Sequence, residues 1–381
     1  MTSNERREGR YQRRIAKRAA KQAEKLKKAN NFDVVFSYDN LYKAYKHCRR
    51  GVAWKASVQK YITQAPLEVY KTYVQLQQGK FKSPGFYEFD LYERGKHRHI
   101  RSTGIRERVV QNCLCENSLI PALQPAFIFD NGASMKNKGY TFAINRITEK
   151  LHKHYRKYGQ EGYILVYDFS KFFDNVSHEL VKRIIANKIT DERLQKLSAH
   201  FIDAFGNKGL GLGSQISQVL ALASANRLDH LIKEVYVIKG YARYMDDGYL
   251  ISHSKEYLNR CLKAIKAICA ELNIVLNTKK TQIIKLSHGF TWLKVRFFLT
   301  KTGKVIRKIY KRSVTKERQK LKKFRIRLDN GLMTYNDICQ SFQSWRAYAR
   351  NFNAYHTIMN MERLFKTLFF KEMQNEIHRI A

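Results

Sequence analysis

The chain has 381 residues, 44% of them hydrophobic and 13% aromatic, which excludes global disorder and allows more than one folding unit with its own core. Lysine and arginine total 72 against 32 acidic residues, a formal net charge of +40, so a polyanion is the natural partner. No apolar stretch approaches the ~20 residues that cross a bilayer and the N-terminus has no h-region, so the sequence reads as cytoplasmic, with no membrane partner.

Residues 1–31 form a charge run, eleven Lys/Arg against three Glu interleaved with alanines. Such a stretch can be helical on RNA or a solvated tail. From Phe32 to Ala65, the spacing of Phe36, Leu41, Tyr42, Tyr45 and Trp54 predicts two amphipathic helices. The first ends near Gly51 and the second before Pro66. Residues 84–101 alternate in polarity around the turn signal Glu93-Arg94-Gly95-Lys96, which predicts a hairpin with a basic tip. Residues 105–125 return to helical period. Residues 162–168 predict a short buried strand ending on Asp168, residues 217–234 a long helix, and residues 239–252 a strand, an Asp-Asp turn and a strand. Residues 255–272 are helical again. A strand pair follows Ser287-His288-Gly289, and a very basic helical region runs from about 313 onward. There is no internal repeat, and the four prolines mark no obvious linker.

Asp168 at a strand end and Asp246-Asp247 at a hairpin tip carry the chemistry. An Asp pair in a turn is common and means nothing alone. Between hydrophobic strands, in a chain of this charge, with a second strand-terminal Asp upstream, it suits nucleotidyl transfer. That reaction uses two divalent cations about 4 Å apart, and Mg2+ takes carboxylate oxygens supplemented by water and phosphate. On charge alone, a non-catalytic ribosomal or chromatin-like binder explains the chain as well. The six cysteines offer no zinc site: Cys113 and Cys115 are the only close pair, and no second half-site follows.

Tyr244-Met245-Asp246-Asp247 resembles the signature turn of reverse transcriptases, and the run Asp168-Phe169-Ser170-Lys171-Phe172-Phe173-Asp174 through His178 resembles their strand-terminal acidic motif. The resemblance covers about residues 35–360 and is to the bacterial enzymes, nearest the diversity-generating retroelement type, with defence-associated bacterial enzymes next. It implies an α+β right-hand polymerase: fingers, a palm with a small antiparallel sheet backed by helices, and a helical thumb. The basic N-terminal extension would be 1–31, fingers and palm 32–304, and the thumb 305–381, with Ser344-Trp345-Arg346-Ala347-Tyr348 in a thumb helix.

The implied activity is RNA-directed DNA synthesis with two Mg2+ ions (Mn2+ as the alternative) on Asp168, Asp246 and Asp247. Phe173 would be the steric gate that selects deoxynucleotides, with Phe169 beside the nucleotide. Lys96 and Arg98 would hold the triphosphate, a generic basic tip on template phosphate being the other reading. Lys280, with Lys279 beside it, would protonate the leaving pyrophosphate. Gly213, Ser217 and Gln218 belong to a glycine loop opening a helix near the templating pair. Most relatives carry Ser-Pro there; Ser217-Gln218 looks like the diversity-generating type. Arg108 would touch template, brace the fingers or form a structural salt bridge. Tyr244 and Met245 would lie against template–primer. Trp292 falls in a stretch resembling the primer grip, where the usual Leu-Gly reads Leu293-Lys294. His178 would pack or hydrogen-bond.

The implied partners are dNTPs, a DNA primer or cDNA product and an RNA template, a structured non-coding RNA, with a small basic accessory protein in the retroelement context. The alternatives are a phage-defence reverse transcriptase acting with a cognate non-coding RNA, and a non-catalytic RNA-binding protein on a polymerase scaffold. The chain would be bacterial or phage-encoded.

Overall fold

The computed structural model describes residues 2–83, 85–93 and 96–374. The predicted turn at Arg94-Gly95 and the side chains of Glu93, Lys96 and Arg98 lie outside the described residues. Among the described residues, nine strands, β1 (Phe86–Glu93), β2 (Lys96–Thr103), β3 (Tyr163–Asp168), β4 (Gly240–Tyr244), β5 (Asp247–Ser252), β6 (Gln282–Lys285), β7 (Phe290–Trp292), β8 (Val295–Leu299) and β9 (Val305–Ile309), form three separate antiparallel sheets among helices.

The basic run is a helix, Ser3–Ala29, opened by a capping box between Thr2 and Glu5. Nearly all of it is exposed. Its end is fastened to the body, where Ser118 Oγ donates to the Ala29 carbonyl (2.8 Å) and Thr190 N to Asn30 Oδ1 (2.6 Å). The region read as two helices contains Phe32–Val35, Tyr38–Cys48 and Ala56–Thr63. Pro66 opens a further helix, Ala65–Gln77, because proline lacks only an N–H that the first turn leaves unused. The hairpin β1–β2 forms as the alternation predicts.

The central sheet has the order β4-β5-β3-β6. Along β3, Ile164 and Val166 face a core with Ile144, Ile147 and Leu151 of the helix Tyr140–Tyr158. Leu165 and Tyr167 face the opposite core, with Leu258 and Ile265 of the helix Lys255–Glu271. Helices cover both faces, so the strand reads as a continuous apolar run although its side chains alternate.

The long helix expected over 217–234 begins instead at Gln215 and breaks at Ala225, whose backbone leaves the helical region (φ −95°, ψ 4°). The chain continues as Asn226–His230 and a wide turn, Leu231–Val235. The expected strand pair is a three-stranded sheet, β7-β8-β9. Leu293 and Lys294 both adopt left-handed backbone (φ 46° and 62°), the conformation that a two-residue hairpin turn requires, so the turn survives the missing glycine. Three helices follow β9: Lys311–Asp329, Tyr335–Ala349 and Tyr355–Leu368. They close on a core of their own containing Leu321, Ile338, Phe342, Trp345, Met361 and Phe365. No helix among the described residues is long and apolar enough to cross a membrane.

Candidate active site

Strand pairing brings the acids together. Asp168, the last residue of β3, lies opposite Asp247, the first residue of β5. Tyr244 pairs with Asp247, leaving Met245 and Asp246 as a two-residue turn in which Met245 is left-handed (φ 56°). The Phe169 N–H donates to the Asp246 carbonyl (3.1 Å), tying the end of β3 to that turn. A Cβ on Gly248 would sit 2.2 Å from the Tyr167 ring, so only glycine lets the two strands pass there.

Burial, then the charges of Asp246 and Asp168, push the Asp247 carboxyl up to about 7. Carboxylates crowded in this way repel one another, and a dication relieves the repulsion. Asp168 is 6% exposed, and its Oδ2 accepts from Lys280 Nζ (2.6 Å). Burial lowers the Lys280 ammonium pKa, but the bond to Asp168 outweighs it and the net shift is upward. Of the two adjacent lysines, it is Lys280 that reaches the acids. Asn277 clamps the same residue: its N–H donates to the Asp168 carbonyl (2.8 Å) and its Nδ2 to Oδ1 (3.4 Å).

Among the described residues, no group of three or more His, Cys, Asp or Glu side chains is placed to hold a metal ion by itself. The donor set still suits Mg2+, a hard ion usually held by one or two carboxylates together with water and substrate phosphate.

The turn has a support that the sequence did not reveal. Arg243 and Asp229 are both fully buried. Arg243 Nε donates to Asp229 Oδ1 (2.8 Å) and Nη2 to Oδ2 (2.6 Å). Nη1 reaches the Met245 carbonyl (2.8 Å), and Nη2 also reaches the Leu222 carbonyl (3.1 Å). Tyr241 Oη donates to Asp229 Oδ1 (2.5 Å) and shares a contact with Tyr167 Oη (2.9 Å). The guanidinium thus fixes the carbonyl of the strained Met245. The break at Ala225 precedes the short helix that carries Asp229 to it. One sequence signal was present: an arginine between the apolar residues of a strand covered on both faces.

The remaining sequence-predicted residues fall at different depths. Phe173 is half-buried at the head of a short helix, with Phe172 buried behind it (centroids 5.9 Å), and its carbonyl accepts from Leu210 N (2.7 Å). The Phe169 ring is buried between Tyr167 and Phe172. Gln218 is exposed and accepts from Ser134 Oγ (3.0 Å). It lines a cavity of about 790 Å3 whose lining includes the cationic Lys43, Arg50 and Lys136 and His47. Gly213 is exposed, with φ 101°. Ser217 is fully buried, and its hydroxyl finds no partner among the described residues. Trp292 is 3% exposed, edge-on to Tyr249 (4.8 Å), and so packs the sheet from inside. Arg108 is half-buried, and its carbonyl accepts from Cys48 Sγ (3.5 Å). His178 donates from Nε2 to the Gly209 carbonyl (2.6 Å). The loop before Gln215 is anchored through Ser214 Oγ, which donates to Gln111 Oε1 (2.6 Å), while Gln111 Nε2 donates to the buried Glu107 (2.8 Å).

No curated protein sequence matches the chain. Two similar solved structures are telomerases. One, from Candida albicans with a fragment of telomeric RNA, has TM-score 0.45 and 10% identity over 70% of this chain and 55% of that one. The other, apo telomerase from Candida tropicalis, has TM-score 0.46 and 12% identity over 64% of this chain and 53% of that one. The chain thus spans about half the length of each. The family pattern described as "Reverse transcriptase (RNA-dependent DNA polymerase)" matches residues 90–328, which include all three aspartates, and the chain belongs to that family.

Proposed function

We propose that this chain is an RNA-directed DNA polymerase that copies an RNA template into cDNA. The observation that carries the reading is the pairing of Asp168 with Asp247 beside the Met245-Asp246 turn, inside a family match. Asp168, Asp246 and Asp247 would hold two Mg2+, or Mn2+ in their place. When bound, such ions supply activation of a primer hydroxyl and charge neutralisation on a triphosphate.

The chain's own residues do the rest. Lys280, on Asp168 Oδ2, holds a proton within the acidic cluster and can release it to a departing pyrophosphate. Phe173, half-buried beside the acids' strand end, would crowd a 2′ hydroxyl. Phe169 fixes the floor of the nucleotide site. Lys96 and Arg98, from the basic hairpin, would hold the triphosphate by charge-assisted bonds. Gln218 would contact the incoming dNTP beside the templating pair, and Gly213 and Arg108 would face template. Ser217, Trp292, Tyr244 and Met245 would support the strands and loops on which template and primer lie.

Ser217-Gln218 favours a diversity-generating retroelement, bacterial or phage-encoded and working in the cytoplasm on a structured RNA with a small basic accessory protein. A phage-defence enzyme with its own non-coding RNA is the alternative, and a template repeat beside a variable target gene would decide for the first. The test of the activity is incorporation of labelled dNTP on a primed RNA template with Mg2+ or Mn2+. We expect template-dependent extension that ribonuclease treatment of the template abolishes. No incorporation with either ion would overturn the reading in favour of a non-catalytic RNA binder.

A further inference from the structure

A second basic cleft, of about 670 Å3, opens at the end of the central sheet away from the acids. It is lined where β4 begins (Gly240) and β5 ends (Ile251, Ser252). The acids sit at the other end of the same strands, about five residues or ~16 Å away. Lys153, Lys157, Lys239 and Arg260 line the cleft, and no Asp or Glu does among the described residues.

Aromatic rings are interleaved with these cations. Tyr158 stacks on His253 (centroids 4.8 Å, 16° between planes), and both are exposed. Lys157 Nζ lies 5.0 Å from the centre of the Tyr158 ring, and the Arg260 guanidinium 5.1 Å from that of Tyr257. The rim is strained as well. Val237, β-branched and 62% exposed, holds φ at 45°, a conformation that costs energy and tends to persist where function needs it. Three of the lining groups are already committed to the fold: Lys150 to Asp130 and to the Lys239 carbonyl, Lys153 to Glu149 (2.6 Å), and His154 Nε2 to the Glu161 carbonyl.

We propose that this rear cleft binds single-stranded RNA outside the catalytic site, with phosphates on Lys157, Lys239 and Arg260 and a base on the Tyr158–His253 stack. Cations that track a backbone beside exposed ring faces are how single strands are held without sequence readout. An acidic protein surface would use the cations and leave the stack idle. The choice of RNA over DNA rests on the polymerase reading, since the template extends beyond what a catalytic site can hold.

The test is fluorescence anisotropy on the full chain without dNTP, so its outcome does not depend on catalysis. The probes are a labelled, unstructured RNA of about thirty nucleotides, a DNA oligomer of the same sequence, and a short primer–template duplex. In Lys157→Glu/Lys239→Glu/Arg260→Glu, affinity for the long RNA falls at least about tenfold, and the slope of log K against log salt shrinks by about 2. In Tyr158→Ala, affinity falls about tenfold with the slope unchanged. The short duplex binds the triple variant and Tyr158→Ala as it binds wild type. An unchanged slope in the triple variant, an equal loss on the short duplex, or equal affinity of the wild-type chain for the DNA oligomer would overturn the proposal. RNA binding that behaves as expected in a chain lacking polymerase activity would support the cleft and sink only the catalytic reading.

Discussion

Asp229→Ala leaves the Arg243 guanidinium fully buried, having lost its partners at Nε and one of two at Nη2. Removing one member of a buried ion pair costs about 3–5 kcal/mol, a large share of the ~5–15 kcal/mol that holds a domain together. At roughly 2–4 °C per kcal/mol, the melting temperature falls by about 6–20 °C. Asp229→Leu/Arg243→Leu removes both charges, and replacing such a pair by apolar residues is often close to neutral, so most of the lost stability returns. Activity does not return with it. The Met245 carbonyl has lost its charged donor, a bond worth about 1.5–3 kcal/mol, and the left-handed turn that presents Asp246 relaxes. Carried into the transition state, that loss is about 10–100-fold in kcat. Denaturation followed by tryptophan fluorescence and single-nucleotide primer extension measure the two effects separately. If the double variant is stable and extends primers at the wild-type rate, Arg243 only fills the core, and the brace on the turn is refuted.

Three further outcomes follow from the geometry. Phe173→Val opens the space where a 2′ hydroxyl would sit, so rNTP incorporation relative to dNTP rises about tenfold or more, an expectation built on a gate worth one steric contact; an unchanged ratio removes Phe173 from that role. Gly248→Ala drives a methyl group into the Tyr167 ring and costs about 1–3 kcal/mol by overpacking, read as a lower urea midpoint; a midpoint equal to wild type would show that the ring moves aside. Burial alone would raise the Asp130 carboxyl, but the ammonium groups of Lys150 and Lys233 outweigh it and hold it down at about 2. A carboxyl depressed on folding gives stability that is complete above its unfolded value near 3.8 and is lost as pH falls toward 2. Asp130→Asn therefore flattens the acid limb of the stability curve between those values, and an unaltered limb would contradict the assignment.

The acids were legible because local patterns point at them: a hydrophobic run ending on Asp168, and an Asp pair between hydrophobic strands. The register that sets Asp168 opposite Asp247 was not, since it depends on β3 and β5 meeting in space. Arg243 hid for the same reason. A lone charged residue in a strand ordinarily faces solvent, and the approach of Asp229, fourteen positions upstream, is what lets Arg243 be buried. Trp292 falls in a stretch that resembles the primer grip, and the motif gave no sign that its ring packs inward against Tyr249. The helix break at Ala225 has no glycine or proline to announce it. It places Asp229 against the guanidinium, a tertiary demand that overrides local propensity. The Leu293-Lys294 turn shows the converse, where strand pairing imposes left-handed backbone on residues that do not favour it.

The central claim is that Asp168, Asp246 and Asp247 together make this chain a template-directed polymerase. Primer extension on an RNA template with Mg2+, comparing wild type with Asp246→Ala/Asp247→Ala at matched fold and RNA affinity, tests it most directly. The account predicts extension by the wild type and none detectable from the double variant. Equal incorporation by the two proteins, whether high or absent, would contradict it.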